Sequence, residues 1–331
     1  MTYPIPYLYI TARMEYRFCG RSGLQLPLIS LGLWHNFGDV DNFPTAQDIV
    51  FSAFDQGITH FDLANNYGPP PGSAEANFGK ILRNGLGSHR DEIIVSSKAG
   101  HLMWDGPYGD GGSRKYMMAS IDQSLRRTGL DYFDIFYSHR YCPETPLEET
   151  VQTLIDIVKQ GKALYVGLSK YPADKAAAAC AMMEEQHVHC LIYQDRYNML
   201  CRKPEQEHFS LFRRQGLGFI AFSPLAQGLL TNRYLNGIPA DSRVAKSGVF
   251  LHREDITPEL IARVGQLNEL AARRGQSLAG MSLAWLLAKE GLTSVIVGAS
   301  SVGQLQDNIR SIDNLCFSAE ELDEIDRILL A

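Results

Sequence analysis

Four polar side chains stand at the ends of three short apolar segments, and their types suit the donation of a proton to a carbonyl oxygen. Asp62 and Tyr67 belong to the segment 59–64 and the turn after it, Lys98 closes 92–98, and His139 closes 132–139. A tyrosine with its usual pKa of about 10 must be made more acidic to act near pH 7, at about 1.4 kcal/mol per unit. We expect Lys98 to lower the pKa of Tyr67, Asp62 to hold Lys98, and His139 to orient the substrate oxygen.

Each of these residues also has an ordinary structural explanation. An Asp after a strand commonly caps a helix or turn, a Lys is commonly solvated, and a Tyr or His in a loop commonly packs by its ring. The placement of all four at the ends of three consecutive strands favours the chemical interpretation.

Segments of strand type recur along the chain with helical stretches between them, a pattern typical of βαβ units in an α/β protein. The pattern predicts eight strands, at 28–34, 59–64, 92–98, 132–139, 163–169, 190–194, 217–223 and 294–298, and helices near 45–55, 74–83 and 115–128. Eight such units most simply close into one (β/α)8 TIM barrel, here over residues 1–331, whose active site lies at the carboxyl ends of the strands. The four candidate residues fall at those ends.

Three segments lie outside this repeat. Residues 14–18 and 24–27 flank a Gly-containing turn, which predicts an N-terminal β-hairpin under the barrel. The segment 225–257 is long for a connection and is expected to fold over a ligand at the C-terminal face. The segment 100–113 carries Trp104 and a glycine-rich run that lacks the strand, G-x-G-x-x-G and helix of a dinucleotide turn. We therefore expect a wall of the substrate pocket there.

Composition excludes several functional classes. The 331 residues are 45% hydrophobic and 21% charged, and no apolar run approaches the roughly 18 residues of a membrane span. A net charge of −6 without a stripe of Lys and Arg argues against nucleic acid as a partner. The N-terminus lacks the features of a secretory signal, so we expect a cytoplasmic protein. The six cysteines form no C-x-x-C pair and are interpreted as free thiols, and no metal is expected.

Beyond these patterns, the sequence resembles the aldo-keto reductases from Phe18 to Asn308. The resemblance rests on the four spaced residues, on the segment 57–62 with Tyr67 and Gly68 after it, and on 222–230. The segments 32–38, 65–73 and 163–167 resemble the bacterial members that reduce L-glyceraldehyde 3-phosphate. Those members are in turn similar to the voltage-gated potassium channel β-subunits.

The resemblance implies a site for NADPH. It places Trp34 above the nicotinamide, Ser169 and Gln194 on the carboxamide, and Phe222 against the ring, with Lys170 where many members have Asn. Toward the phosphates and the adenine it places Ser223, Leu225, Gln227, Gly228, Arg233, Arg243, Gly298, Ser300, Gln304, Asp307 and Asn308. Because many members have Arg at the position of Gln304, the use of NADH is open as well.

The activity implied is hydride transfer to a small aldehyde, L-glyceraldehyde 3-phosphate or methylglyoxal, with Tyr67 as the proton donor. Trp34, Trp104 and Arg140 are expected in the substrate pocket, with Arg114 as a further cation. Two alternatives stay open, a redox-sensing NADPH-binding subunit of a larger assembly and a phosphosugar aldolase or isomerase that uses Lys98 as a Schiff base. A homo-oligomer, tetramer or octamer, is suggested by the resemblance alone.

Overall fold

The computed structural model of the protein describes residues 14–239, 244 and 251–330. The described chain opens with the predicted hairpin, in which β1 (Tyr16–Phe18) pairs antiparallel with β2 (Gln25–Pro27). Gly20 turns between them with a φ of 58°, and a Cβ there would lie 2.0 Å from the carbonyl oxygen of Gly216. Arg17 donates to the carbonyl oxygens of Leu292 and Leu287. These contacts hold the hairpin beneath the starts of two later strands.

Eight parallel strands close into a barrel, which confirms the predicted fold. They are β3 (Ile29–Gly32), β4 (His60–Asp62), β5 (Ile94–Ala99), β6 (Phe133–Ser138), β7 (Ala163–Ser169), β8 (Cys190–Arg196), β9 (Gly218–Phe222) and β10 (Ser294–Val297). Neighbours in sequence pair with each other, and β10 pairs with both β9 and β3 to complete the circle. Every residue of β6 is buried, as expected for a strand between a packed interior and a layer of helices.

Helices follow the strands and pack outside the barrel. They are α1 (Phe43–Asp55), α2 (Ser73–Arg83), α3 (Arg114–Thr128), α4 (Leu147–Lys159), α5 (Ala173–Glu185), α6 (Lys203–Glu207), α7 (Phe209–Gln215), α8 (Pro258–Arg273), α9 (Leu278–Leu287), α10 (Val302–Ile309) and α11 (Ala319–Leu330). Side chains cap several of them, as Asn42 caps α1 by accepting from the Thr45 amide at 2.9 Å. None of the helices described is long and apolar enough to cross a membrane.

A long connection, residues 225–257, follows β9 at the carboxyl ends of the strands. The described part of 225–257 contains 3-10 helices at Ala226–Gly228, Asn232–Tyr234 and Arg253–Asp255. Leu229, Tyr234 and Leu251 form an apolar cluster of their own beside the main core. Residues 240–243 and 245–250, which complete the segment expected to cover a ligand, lie outside the described residues. Short 3-10 helices also occur at Leu86–Glu92 and Arg310–Asp313.

Candidate active site

The four residues singled out in the sequence meet at the carboxyl ends of β4, β5 and β6. Lys98 is fully buried, and its Nζ donates to Asp62 Oδ2 at 2.5 Å and to the carbonyl oxygen of Leu63 at 2.6 Å. The same Nζ lies 3.4 Å from the Tyr67 hydroxyl. His139 directly follows β6, with its ring centroid 6.0 Å from that of Tyr67. The structure therefore joins Asp62, Lys98 and Tyr67 in one hydrogen-bonded chain with an imidazole beside it.

Asp62 receives further donors from neighbouring strands. Ser96 Oγ donates to Asp62 Oδ1 at 2.8 Å, and Gln194 Nε2 donates to the same oxygen at 3.1 Å. Asp62 is only 2% exposed, so its charge depends on these partners and on Lys98 for stabilisation. The carboxylate thus fixes the lysine on one side and the Gln194 amide on the other.

The pKa of Tyr67 differs from the sequence-based expectation. Burial holds the pKa of this phenol well above its usual value, and the negative charge of Asp62 raises it further. Lys98 does not reverse this effect, because its two shorter bonds go to Asp62 and Leu63 and only a long contact reaches the hydroxyl. The net shift of the Tyr67 pKa is therefore upward, opposite to the lowering expected from the sequence. The phenol is protonated at neutral pH and available as a donor.

His139 is buried and neutral. Burial, together with the charges of Lys98 and Lys170, holds its pKa well below the usual value for histidine. Its Nδ1 has no hydrogen-bond partner among the described residues. The ring meets that of His101 edge to face with 4.5 Å between centroids. Burial and the charge of Lys170 lower the pKa of His101 to about 4, so the site holds two uncharged imidazoles.

A buried carboxylate behind the site was not anticipated. Glu75, in the first turn of α2, is fully buried and accepts from Ser97 Oγ at 2.5 Å and from Arg127 Nε at 2.7 Å. Its charge also raises the pKa of Lys98, against the lowering caused by burial. From sequence alone, a Glu in the first turn of a helix is more readily explained by the helix dipole, so no signal distinguished it.

A cleft with a volume of about 1830 Å³ opens above these residues. Asp62, Tyr67 and His139 contribute to its wall, whereas Lys98 lies buried behind them. Most residues expected at a cofactor site also line it, namely Trp34, Gln194, Phe222, Ser223, Leu225, Gln227, Gly228, Arg233, Gly298, Gln304, Asp307 and Asn308. The volume exceeds the 300–1,000 Å³ or so of a site for one drug-sized ligand, so a dinucleotide and a small substrate fit together.

Two of the described residues expected at the cofactor site do not contribute to the wall of the cleft. Ser169 and Ser300 are not among the residues that line it, and Arg243 lies outside the described residues. Ser169 nevertheless pairs with Gln194 across β7 and β8. Its buried Oγ has no hydrogen-bond partner among the described residues, and neither has Asn308 Nδ2. Two buried polar atoms without partners, at positions assigned to opposite ends of the cofactor, fit a polar ligand in the cleft.

The loop after β9 has an unusual backbone. Ser223, Ala226 and Gln227 adopt left-handed φ angles of 50°, 46° and 59°, and Gly228 follows at 96°. Such angles are costly outside glycine and occur where a loop presents its backbone to a ligand. Backbone amides in turns of this kind form concave sites for anions. The loop therefore fits the pyrophosphate that the resemblance places there.

The far end of the cleft differs in detail from the expectation. Gln304 Oε1 accepts from the Ser300 amide at 2.8 Å and from Ser300 Oγ at 2.9 Å, so this side chain stabilises the turn before α10. Asp307 forms an ion pair with Arg310. Arg310 and Arg274 also line the cleft, and sequence reasoning missed both. Arg274 is held by Glu321, which leaves Arg310 as the more accessible of these two cations.

The substrate end of the cleft is formed by other residues than predicted. Trp34 lies 6.1 Å from Tyr67 between ring centroids and lines the cleft. Trp104 instead packs against Tyr116 at 5.4 Å, outside the lining. The Arg140 side chain donates to the carbonyl oxygen of Gly100 and to both Asp110 oxygens, and it does not line the cleft either. His101 and Leu102 occupy that side.

Arg114, the further cation expected at the substrate pocket, does not line the cleft and forms an ion pair with Asp156 on α4. Within residues 14–239, 244 and 251–330, no group of three or more His, Cys, Asp or Glu side chains is arranged to hold a metal ion. The six cysteines are free thiols, as predicted.

Comparison with known proteins adds independent evidence. A model of the aldo/keto reductase family matches residues 28–330. An L-glyceraldehyde 3-phosphate reductase of Escherichia coli O157:H7 is 52% identical over 321 residues, 95% of this chain and 92% of that protein. The reductase of the same name from Escherichia coli strain K12 is 51% identical over the same shares. A probable voltage-gated potassium channel subunit beta of Oryza sativa subsp. japonica is 34% identical over 323 residues, 96% of this chain and 97% of that protein.

Proposed function

Since this chain belongs to the aldo/keto reductase family and is thereby an oxidoreductase, we propose that it reduces small aldehydes with NADPH, L-glyceraldehyde 3-phosphate foremost. The observation that carries the proposal is the hydrogen-bonded chain from Asp62 through Lys98 to the Tyr67 hydroxyl in the wall of the cleft. The substrate is suggested by the name of the relatives that share about half of their residues with this chain. Methylglyoxal is a second candidate of similar size.

NADPH, when bound, supplies the hydride for the carbonyl carbon. On the nicotinamide side, Ser169 and Gln194 would hold the carboxamide, and the half-buried Phe222 would support the ring. Gln227 and Gly228, which line the cleft at this left-handed turn, would lie against the pyrophosphate. Arg233 and Arg310, both in the lining, would meet the negative charge of the phosphates.

Tyr67 donates its phenolic proton to the carbonyl oxygen as negative charge develops there. A high pKa does not prevent this step, because an alkoxide is a stronger base than a phenolate and takes the proton downhill. Lys98, 3.4 Å from the hydroxyl, then stabilises the phenolate that is left. Asp62 keeps the ammonium in place and charged against the cost of complete burial.

His139 binds and orients the aldehyde in this scheme. A neutral imidazole carries one N–H donor, which is sufficient for a single hydrogen bond to the carbonyl oxygen. Because the pKa of His139 is held low, the ring is a poor proton source at neutral pH, and Tyr67 is the better acid. The two side chains thus have separate tasks, one in positioning and one in proton transfer.

Neither alternative from the sequence fits as well. A Schiff base on Lys98 would require an accessible, uncharged amine, whereas this Nζ is fully buried and bonded to Asp62 and Leu63. Borohydride trapping with glyceraldehyde 3-phosphate should therefore leave the protein unmodified. A role as a channel-type subunit has support from the 34% identity to the plant proteins, which is less than the 52% shared with the reductases.

The proposed function is tested by following NADPH oxidation with L-glyceraldehyde 3-phosphate, methylglyoxal and unphosphorylated glyceraldehyde. We expect turnover with at least the first of these, and a much lower rate for a Tyr67→Phe variant under the same conditions. The same assays with NADH measure the cofactor preference. If the wild-type protein bound NADPH but turned over no aldehyde, the proposal would have to yield to a binding role.

A further inference from the structure

Lys170 lines the cleft and has no role in the reduction mechanism proposed above. We propose that Lys170, with His101 beside it, binds the phosphate of the substrate, so that the protein selects small aldehydes that carry an anionic group. The proposal rests on the function proposed above and specifies its substrate class. It replaces the two arginines that the sequence suggested for this role, since Arg140 is tied to Asp110 and Arg114 to Asp156.

Lys170 stands directly after β7, where its exposed side chain lines the cleft. Its φ is 54°, a left-handed value that is strained for a lysine. The backbone is held there by the Lys170 amide, which donates to the carbonyl oxygen of Gln194 at 3.2 Å. Nζ lies 5.3 Å from the ring centroid of Phe222. The strained backbone thus directs an ammonium into the cleft beside the ring expected to support the nicotinamide.

The ammonium lies over the Phe222 ring but pairs with no anionic group among the described residues. Within the described part of the chain, no side-chain hydrogen bond or ion pair engages Lys170 Nζ. By contrast, Lys98 is paired with Asp62. The pKa of Lys170 is lowered, chiefly by partial desolvation in the cleft and by the charges of Lys98, Arg140 and Arg196, while Asp195, also in the lining, opposes the lowering. A cation crowded by other cations and only partly balanced by one carboxylate is suited to an anionic ligand.

The cation also lies at a useful place relative to the reacting group. Lys170, His101 and His139 all line the same cleft, and the charge of Lys170 contributes to the lowered pKa of both rings. The His101 ring lies 4.5 Å from that of His139 and lines the cleft. A three-carbon aldehyde whose carbonyl oxygen meets Tyr67 and His139 therefore has its other end within reach of His101 and Lys170. A phosphate without a cation in a pocket of this kind would be heavily penalised.

The resemblance to the aldo-keto reductases, many of which have Asn at this position, raises a second explanation for Lys170. The competing explanation is that Lys170 contacts the cofactor as that Asn does. The two explanations differ in what a substitution changes, because a cofactor contact affects every aldehyde equally and a phosphate contact affects only the phosphorylated one.

The first experiment compares kcat/KM for L-glyceraldehyde 3-phosphate with kcat/KM for L-glyceraldehyde, at low salt and saturating NADPH. We expect Lys170→Met to lower the ratio of the two at least tenfold, mainly through KM, the size expected for a lost hydrogen bond to a charged group. Lys170→Arg should restore most of the ratio, and Lys170→Asn, which tolerates a left-handed φ, serves as a second neutral variant. Lys175→Met on α5, an exposed lysine next to Asp174, is the control and should keep the wild-type ratio.

An unchanged ratio in Lys170→Met would overturn the proposal. If kcat/KM fell equally for both aldehydes, the result would favour a cofactor contact. A wild-type protein that reduces the unphosphorylated aldehyde equally well would also overturn the proposal, while leaving the reductase function intact.

The second experiment does not depend on turnover. Glycerol 3-phosphate, which has no carbonyl group, is titrated by calorimetry into the protein loaded with NADP+. We expect binding to wild type, Lys170→Arg and Lys175→Met, and at least tenfold weaker binding to Lys170→Met. Binding lost only in Lys170→Met would support the phosphate site even if no aldehyde were reduced, in which case the proposed reductase activity alone would fail. Equal binding to wild type and Lys170→Met, or none to wild type, would overturn the phosphate site.

Discussion

Gln194 Nε2 donates a hydrogen bond to Asp62 Oδ1 over 3.1 Å and so connects the proposed nicotinamide contact on β8 to the buried carboxylate on β4. The oxygen that accepts it also accepts from Ser96. With one amide hydrogen used in this way, the Gln194 side chain has a fixed orientation, and its remaining polar atoms are directed by Asp62. The carboxylate that holds the lysine therefore also fixes a side chain proposed to bind the cofactor.

We predict that Gln194→Leu weakens NADPH binding at least tenfold and lowers kcat. The substitution removes the proposed carboxamide contact and one of the donors to a buried carboxylate, a loss of about 1–3 kcal/mol. Cofactor affinity is measured by quenching of protein fluorescence, and stability by thermal unfolding. Gln186→Leu, at the exposed C-terminal end of α5, is the matched control and should change neither quantity. Wild-type NADPH affinity in Gln194→Leu would show that this amide has only a structural part in the site.

Tyr67→Phe should leave NADPH binding nearly unchanged and reduce aldehyde turnover by at least about 10²-fold, the loss expected for a positioned general acid. Among the described residues the hydroxyl hydrogen-bonds only to Lys98, at 3.4 Å, so its removal should disturb the fold little. Single-turnover rates with saturating NADPH isolate the chemical step. Tyr108→Phe removes an exposed hydroxyl from the loop 100–113 and should keep the wild-type rate. Turnover by Tyr67→Phe close to wild type would mean that the proton comes from another group.

The barrel could be predicted because each strand has an apolar residue pattern that is visible within its own short segment. The predicted segment 132–139 and the observed β6 (Phe133–Ser138) differ by one residue at each end, and β7 (Ala163–Ser169) matches its predicted range. The first strand was predicted too long, since regular pairing is confined to Ile29–Gly32. Beyond it the chain turns over the cleft, where Trp34 faces Tyr67. The boundary depends on that tertiary contact, which a strand pattern does not contain.

Site residues at strand ends could be placed from the sequence, because strand pairing determines their positions. Site residues on loops could not be placed in this way. Asp62 and Lys98 belong to paired strands, so their proximity follows from the register between β4 and β5. Trp104 belongs to the loop 100–113, whose course is set by the Tyr116 hydroxyl as it donates to the carbonyl oxygen of His101. That bond turns His101 rather than Trp104 toward the cleft. The pKa of Tyr67 was misjudged because the burial of the phenol, which is the main cause of its raised pKa, cannot be read from sequence.

A third prediction concerns the 2′-phosphate of the cofactor. Because Gln304 stabilises the turn before α10 rather than providing a cation, we expect Arg233 and Arg310 to carry the preference for NADPH. Replacing both with Ala should weaken NADPH at least tenfold and NADH much less, since charge-assisted bonds contribute about 1.5–3 kcal/mol. Dissociation constants for both cofactors give the answer, with Arg243→Ala as a separate variant. An equal loss for NADPH and NADH would assign the arginines to the shared pyrophosphate.

The fourth prediction is a loss of stability in acid that originates at His60. This buried ring accepts from Ser30 Oγ at Nδ1, 2.8 Å away, and donates from Nε2 to Ser96 Oγ at 3.0 Å, because the single Ser96 hydroxyl hydrogen goes to Asp62. A second proton on His60, at Nδ1, would require the Ser30 hydroxyl hydrogen to turn away toward Ser294 Oγ. Burial accordingly lowers the pKa of His60 to about 4, from about 6.5 for a solvated histidine.

Acid lowers the free energy of unfolding because the unfolded chain binds a proton on His60 more readily than the folded protein does. Above pH 6.5 His60 is neutral in both states, whereas between pH 6.5 and about 4 only the unfolded chain binds it, so the free energy of unfolding falls by about 3 kcal/mol for this residue. Urea unfolding at several pH values should show that His60→Gln flattens this slope by one proton. His187→Asn, at an exposed position whose left-handed φ of 57° suits Asn, should retain the wild-type slope. If His60→Gln kept the full slope, the acid sensitivity would have to come from His101 and His139, whose pKa values are also held low by burial at the mouth of the barrel.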